Sequence, residues 1–301
     1  MVPLQANASY MGGGPVSPGR REEVVLITGC SDGGIGSALA LEFCDCGFTV
    51  VATSRSLETM KRFEGHQYIA VLALDLLSEE SIKEAVASVM ALYGRIDILV
   101  NNAGMPCTAP LVEVPIAIVD QVYRTNYLGP IMMIQAVVPH MVAKGKGKIV
   151  NVSSIAVYAT GPFTGAYSAS KAALHYSTDA LRLELKPFNI DVMLLVPGGV
   201  VTGIASKGYE ILKNNLSMLK IFKPYEEYLL QRAMLSHHPK STPAPLFAKK
   251  AVNAIVAKSS TACYTYGFLS RIYRILFYCP YWIRDWWFSS KIKVINVKKQ
   301  Q

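Results

Sequence analysis

The chain has 301 residues, 51% of them hydrophobic and 17% charged, which is enough to build a full core in one large α/β domain or two small ones. Its six cysteines show no paired framework and no accompanying histidine cluster, which argues against a disulfide scaffold or a metal site and favours reduced, cytosolic thiols. The net charge of +9 is uneven: residues 1–202 carry 14 basic and 17 acidic side chains, and residues 203–301 carry 16 and 4.

The first 200 residues have the pattern of a doubly wound, Rossmann-like parallel sheet. Residues 1–23 are rich in Gly, Pro and Ser, which predicts a disordered leader and not a secretory signal. Short β-branched runs then alternate with helical patterns, and the continuously apolar strands indicate a sheet covered on both faces. The predicted strands are residues 24–28, 49–53, 69–74, 98–100, 148–152 and 192–196, and the predicted helices are residues 36–45, 79–93, 114–144 and 167–186.

A glycine-rich turn, residues 28–36, joins the first predicted strand to the first helix. Gly29 permits a tight turn, while Gly34 and Gly36 allow the backbone to approach a phosphate closely. A turn in this position lays a pyrophosphate on the backbone N–H groups at the start of a helix. It predicts a dinucleotide site whose contacts include Ser31 and Ile35.

The segment after the second strand indicates which dinucleotide is bound. An acidic residue there would hold a ribose 2′-hydroxyl, whereas an arginine would hold a 2′-phosphate. This chain has Arg55 and no acid until Glu58, which favours NADP(H) over NAD(H). Asp32 in the glycine turn counts mildly against this choice, since it would repel a 2′-phosphate.

Tyr167 and Lys171 are four residues apart, so they lie on one face of a predicted helix. A free tyrosine has a pKa of about 10 and is a poor acid at neutral pH, but a nearby cation lowers that pKa. Beside a nicotinamide, such a tyrosine could protonate a carbonyl oxygen while hydride reaches the carbon. The alternative is a pair of side chains at an ordinary surface.

Residues 203–250 break the alternation with scattered lysines and a proline-rich stretch. An insertion directly after the last predicted strand is well placed to cover a cleft at the carboxyl edge of the sheet. We therefore predict a helical substrate lid, with a disordered loop as the alternative. A single catalytic domain, residues 24–267, then includes this lid.

Residues 268–301 form an amphipathic, basic and aromatic tail that holds all three tryptophans. Arginines and Pro280 disfavour a spanning helix, whereas arginines mixed with aromatic residues favour peripheral membrane contact. The alternative is that the tail packs on the enzyme's own core or on a dimer partner. A homo-oligomer is therefore one possible form of the protein. The basic C-terminal third is also consistent with a phosphate ligand or with solubility alone. Nucleic-acid binding is disfavoured, because no nucleic-acid motif accompanies the basic residues.

Six ordered motifs between residues 24 and 202 resemble those of the short-chain dehydrogenase/reductase family. The glycine turn differs from the family's T-G-x-x-x-G-x-G pattern by one extra residue. The other matches are Asp75, the N-N-A-G motif at residues 101–104, Asn126, Ser154 with Tyr167 and Lys171, and the P-G-x-x-x-T motif at residues 197–202.

The resemblance implies a role for each of these residues. Tyr167 is the general acid for ketone reduction, and Lys171 lowers its pKa and binds the nicotinamide ribose. Ser154 stabilises charge on the substrate oxygen, and Asn126 holds a water of the proton relay. The cofactor contacts implied by the remaining motifs are Asp75 on the adenine side, Asn102 at the end of the fourth strand, and Val200 and Thr202 on the nicotinamide side.

Residues 102–108, 167–175, 183–189, 198–200 and 280–282 are similar to those of a fungal subgroup, the NADPH-dependent 1-acyldihydroxyacetone-phosphate reductases. That similarity implies a lipid ketone substrate and a place on the cytoplasmic side of the endoplasmic reticulum or a lipid droplet. Two alternatives stay open. One is a soluble cytoplasmic ketoreductase of fungal secondary metabolism, and the other is a non-catalytic dinucleotide-binding scaffold.

Overall fold

The structure is a computed structural model that describes residues 20–259 and 261–290. Its strands are β1 Val24–Thr28, β2 Thr49–Ser54, β3 Ile69–Ala73, β4 Ile98–Asn101, β5 Gly147–Val152, β6 Ile190–Pro197, β7 Val200–Val201, β8 Thr242–Pro243 and β9 Cys263–Tyr266. Its α-helices are α1 Ile35–Asp45, α2 Glu79–Tyr93, α3 Ile116–Tyr123, α4 Gly129–Lys144, α5 Gly165–Glu184, α6 Gly203–Lys213, α7 Glu226–Ala233, α8 Ala244–Ile255, α9 Ser270–Tyr278 and α10 Tyr281–Ser289.

Seven parallel strands form one sheet in the order β3-β2-β1-β4-β5-β6-β9. Apolar side chains of the strands pack into two buried clusters, one on each face. Helices α1 and α8 cover one face through residues such as Phe43 and Phe247, and α2 and α4 cover the other through Val86 and Val137. The predicted doubly wound α/β fold is confirmed, and each of the six predicted strands is present to within two residues.

Two predictions about the core need correction. The predicted helix 114–144 is divided into α3, a π-helical turn at Arg124–Leu128, and α4. Pro130 lies at the start of α4 and has no N–H to donate to the carbonyl of Asn126, four residues earlier, so a regular α-helix cannot pass through this point. The sheet also has a seventh strand, β9, which pairs with β6 and was not predicted.

The lid is helical, and it is shorter than the predicted residues 203–250. Helices α6 and α7 contact the loops that follow β4 and β5, through Gly208 against Pro106 and Leu229 against Phe163, and the short pair β7–β8 ties the lid's ends together. Helix α8, in contrast, belongs to the core, because Phe247, Ala251 and Ile255 on its inner face are fully buried against α1. The lid therefore ends near residue 243.

The predicted leader and tail are described only in part, since residues 1–19 and 291–301 lie outside the described ranges. Arg20 stacks 3.3 Å over the Tyr68 ring, and the Arg21 N–H bonds to the Gly47 carbonyl at 2.9 Å, so residues 20–23 pack on the domain. The tail forms α9 and α10. Within the described ranges, the structure contains no helix that is long and apolar enough to cross a membrane.

Candidate active site

The glycine turn is fixed against the end of β4. Gly29 has a φ of +76°, and a Cβ there would lie 2.6 Å from the Ala103 Cα; a Cβ on Gly36 would lie 2.4 Å from the Asn102 Nδ2. The Asn102 side chain donates to the carbonyls of Thr28 (2.8 Å) and Gly29 (2.9 Å). Neither glycine can therefore carry a side chain without moving Ala103 or Asn102.

Helix α1 begins directly after this turn with Ile35 and Gly36. Its N-cap residue, Gly34, has extended dihedral angles and provides no side-chain hydrogen bond to the first helical N–H groups. Uncapped N–H groups at a helix start are suited to a phosphate. The turn and the helix start therefore fit the pyrophosphate of a dinucleotide.

The predicted adenosine side lies at the ends of β2 and β3. Ser31 Oγ is within hydrogen-bond distance of two hydroxyls, Ser54 Oγ (3.0 Å) and Thr59 Oγ1 (3.1 Å), a cluster that sequence reasoning did not identify. Arg55 is exposed and forms no ion pair with a described residue. Asp75 accepts a hydrogen bond from the Leu77 N–H at 3.0 Å, which fixes its carboxylate at the end of β3.

The predicted catalytic residues lie together at the carboxyl end of β5 and the start of α5. Ser154 follows β5, and its hydroxyl bonds to Tyr167, two residues into α5. Lys171, one turn further along α5, is buried, and its Nζ donates to the Val152 carbonyl at 2.8 Å. Burial lowers the pKa of Lys171 to about 8. The fold thus brings Ser154, Tyr167 and Lys171 into one cluster.

The structure changes the interpretation of the Tyr167 pKa. Lowering by Lys171 was expected, yet burial raises this pKa, and the opposing effect comes from the hydrogen bond with Ser154. The Lys171 Nζ itself donates to the Val152 carbonyl and is desolvated there. Tyr167 is consequently protonated at neutral pH, which is the state that a proton donor requires.

Asn126 is fully buried in the π-helical turn. Its amide nitrogen donates to the Met105 carbonyl and to Ser170 Oγ, both at 2.9 Å, and its Oδ1 accepts from the Met105 N–H at 2.7 Å. Both amide hydrogens are used, so the side chain has no donor left for a water. The backbone carbonyl of Asn126 cannot accept the usual α-helical hydrogen bond from residue 130, because Pro130 has no N–H.

Gly104, which has no side chain, lies beside Asn126 and Lys171. A Cβ on Gly104 would lie 3.3 Å from Asn126 Oδ1 and 3.4 Å from Lys171 Nζ, so glycine keeps that space open. Val200 and Thr202 are also buried, and Thr202 is the N-cap residue of α6. The lid residue His237 holds the Thr202 carbonyl, with its Nε2 at 2.9 Å, a contact that the sequence did not predict. The space over Lys171 fits a nicotinamide ribose.

A Rossmann sheet with this glycine turn and this serine, tyrosine and lysine defines an NAD(P)-dependent oxidoreductase. The family model described as short chain dehydrogenase matches residues 23–210. The chain belongs to the short-chain dehydrogenase/reductase family.

Curated relatives cover most of the chain. An NADPH-dependent 1-acyldihydroxyacetone phosphate reductase of Schizosaccharomyces pombe is 41% identical over 70% of this chain and 71% of its own length. The reductase of the same name from Saccharomyces cerevisiae is 33% identical over 92% and 93%. The short-chain dehydrogenase ptmH of Penicillium ochrochloron is 34% identical over 87% and 94%.

Solved structures share the fold. A short-chain dehydrogenase from Streptomyces avermitilis superposes with a TM-score of 0.72 at 27% identity, covering 84% of this chain and 90% of that one. ElxO with NADP bound has a TM-score of 0.65 at 26% identity, covering 81% and 97%.

The pKa of Lys171 predicts an alkaline limit on cofactor use. The ammonium of Lys171 is present below pH 8 and is lost above it, while Tyr167, with its raised pKa, stays protonated. The pH dependence of kcat/KM for NADPH reports the ionisable groups of the free enzyme. We expect this kcat/KM to be constant below about pH 8 and to fall about tenfold for each pH unit above it. If kcat/KM for NADPH instead begins to fall only near pH 10 or higher, Lys171 keeps an ordinary pKa.

Proposed function

We propose that this protein is an NADPH-dependent reductase that converts a lipid ketone phosphate, 1-acyldihydroxyacetone phosphate or a close analogue, to its secondary alcohol. The observation that carries the proposal is the hydrogen-bonded pair of Ser154 and protonated Tyr167 beside buried Lys171, at the open edge of a dinucleotide-binding sheet. Two relatives that carry the name of such a reductase support this choice of substrate.

When bound, the cofactor supplies hydride to the carbonyl carbon. In the proposed mechanism, the Tyr167 hydroxyl donates its proton to the carbonyl oxygen, and the Ser154 hydroxyl donates a hydrogen bond to the same oxygen as charge develops. Lys171 Nζ has donors beyond its bond to Val152 and holds the ribose hydroxyls. The Asn126 carbonyl holds a water through which Tyr167 regains a proton.

NADP(H) is the proposed cofactor form. Arg55 follows β2 directly, and its guanidinium forms no ion pair with a described residue, so it is available to a 2′-phosphate. The neighbouring hydroxyls of Ser31, Ser54 and Thr59 add hydrogen-bonding groups on the same side of the turn. In this assignment, Asp75 contacts the adenine.

A second candidate is a ketoreductase of secondary metabolism with a substrate other than a lipid. This candidate is supported by the fungal short-chain dehydrogenase ptmH, whose name carries no lipid substrate. Its identity to this chain is 34%, compared with 33% and 41% for the two acyldihydroxyacetone phosphate reductases. Both candidates use the same catalytic residues, so the choice depends on the substrate cleft.

A substrate panel separates the two candidates. Purified enzyme with NADPH is offered 1-acyldihydroxyacetone phosphate, steroid ketones and polyketide ketones at matched concentrations, and NADPH oxidation is followed. We expect the highest kcat/KM for the lipid ketone phosphate. A clear preference for a polycyclic ketone would replace the lipid proposal with the second candidate.

We also propose that the tail contacts a membrane peripherally, on the cytoplasmic side of the endoplasmic reticulum or a lipid droplet. The inner face of α9 is buried, since Tyr273 and Leu276 pack with Ala159 beside the catalytic loop. Helix α10 carries exposed aromatic rings, with Trp282 at 71% and Trp286 at 66% exposure. Large exposed aromatic side chains near arginines suit the interface of an anionic bilayer.

Replacing both Trp282 and Trp286 with glutamine should release the protein from membranes, because the two rings supply exposed apolar surface to the interface. Sedimentation with anionic phospholipid vesicles measures this. Leu183→Gln is the matched control, as Leu183 is an exposed apolar residue on α5. Activity on a short, soluble ketone should persist in all variants. Equal sedimentation of the double variant and the parent would exclude these rings as the membrane contact.

A further inference from the structure

Arg232, on lid helix α7, reaches the segment that joins Ser154 to Tyr167. Its Nη2 lies so close to Gly161 that a Cβ on that residue would be only 2.6 Å from it. Leu229, one turn earlier on α7, is fully buried with Phe163 of the same segment and holds the helix in place. The lid thus places a guanidinium against the loop that joins Ser154 to Tyr167, in space that exists because residue 161 is glycine.

This guanidinium lacks a counter-charge. No described carboxylate lies within ion-pair distance of Arg232, and its Nε is buried without a hydrogen-bond partner. Its neighbours are aromatic: Phe288 lies against the same side of Gly161, and the Tyr273 hydroxyl, whose pKa burial raises, is close enough for both the charge and a hydrogen bond of Arg232 to oppose that rise. The half-buried charge of Arg232 thus has a neutral phenol and no described carboxylate beside it, an arrangement that suits an anionic ligand.

The two relevant nitrogens share one edge of the guanidinium. Nε and Nη2 are the pair that donates two parallel hydrogen bonds to two oxygens of a phosphate or carboxylate. In Arg232 the Nε is unpartnered, and Nη2 faces the Ser154–Tyr167 segment. Lys223 of the same lid, in contrast, is exposed and paired with Glu226.

We propose that Arg232 is the residue that recognises the anionic head of the substrate, a phosphate monoester, at the edge of the catalytic site. This inference rests on the proposed ketone reductase and adds the group that selects a charged ketone over a neutral one. Arg232 lies beyond the sequence motifs because it is on the lid, where its position depends on Gly161 and on the tail helices.

The test compares two substrates that differ only in the phosphate, 1-acyldihydroxyacetone phosphate and 1-acyldihydroxyacetone. For Arg232→Gln, we expect kcat/KM for the phosphorylated ketone to fall about tenfold to a hundredfold, the range for losing a hydrogen bond to a charged group. The loss should be mainly in KM, and kcat/KM for the neutral ketone should be unchanged. Arg232→Lys should recover part of the selectivity, and Lys223→Gln, the matched lid control, should keep all of it.

Equilibrium binding provides a readout that does not depend on turnover. Calorimetric titration of the enzyme–NADP⁺ complex with the phosphorylated lipid should show the same loss of affinity in Arg232→Gln, with the melting temperature close to that of the parent. An equal loss for both lipids would give Arg232 a merely structural role and overturn the inference. So would unchanged binding of the phosphorylated lipid. If the parent enzyme binds this lipid through Arg232 but reduces no ketone, the proposed function fails and the anion site stands.

Discussion

Replacing Tyr167 with phenylalanine should lower ketone turnover by at least about a hundredfold, the low end of what a general acid contributes. The change removes the hydroxyl that bonds to Ser154 and leaves the ring packed in place. Because the ring and Lys171 remain, we expect the affinity for NADPH to stay close to that of the parent. Stopped-flow reduction and a separate NADPH-binding titration measure the two quantities.

Tyr158→Phe is the matched control for this variant. Tyr158 also follows Ser154, but its hydroxyl bonds to Thr265 at 3.0 Å, away from the catalytic cluster, and its pKa is raised to about 12, chiefly by burial. Its loss should leave turnover nearly unchanged. Near-normal turnover in Tyr167→Phe would remove Tyr167 as the proton donor.

Replacing Arg55 with aspartate should reverse the cofactor preference. A carboxylate in place of the guanidinium repels a 2′-phosphate and accepts a hydrogen bond from the NAD ribose. We expect the ratio of kcat/KM for NADPH to that for NADH to fall by about a hundredfold, since charge-assisted hydrogen bonds of about 1.5–3 kcal/mol are lost. Direct binding of both cofactors by fluorescence titration should follow the same order.

Lys61→Asp makes the same change of charge nearby and serves as the control. Lys61 is exposed and paired with Glu58 at 3.0 Å, in the turn that follows β2. This variant should alter the preference little, by long-range charge alone. If Arg55→Asp and Lys61→Asp behave alike, the 2′-phosphate is held by other residues.

The sheet was predictable from sequence because buried parallel strands are continuous apolar runs, and their ends carry the glycine turn and the catalytic residues. Strand β9 was not, since Cys263–Tyr266 is short and only partly buried, and lies beyond the lid. The π-helical turn at Asn126 had a local signal in Pro130, which the helical pattern of residues 114–144 concealed. The helical pattern depends only on which residues are apolar. It does not indicate the position at which a proline removes a backbone hydrogen bond.

The lid and the tail were harder to predict because their positions depend on contacts between distant segments. The position of Arg232 depends on Gly161, and that of α9 on Ala159 and Tyr158. No local period in the sequence encodes such contacts. The raised pKa of Tyr167 has the same origin: burial is a property of the whole fold, whereas the four-residue spacing to Lys171 indicates only that the two side chains share a helix face.

The proposed activity of this protein is the reduction of a lipid ketone with NADPH. The most direct measurement follows NADPH absorbance and the mass of 1-acyldihydroxyacetone phosphate in the same reaction. The proposed function predicts one lipid alcohol, two hydrogens heavier than the ketone, for each NADPH oxidised, and no product with Tyr167→Phe on the same time scale. Tight NADPH binding with no oxidation by this or any other ketone would contradict it and would indicate a non-catalytic dinucleotide-binding scaffold.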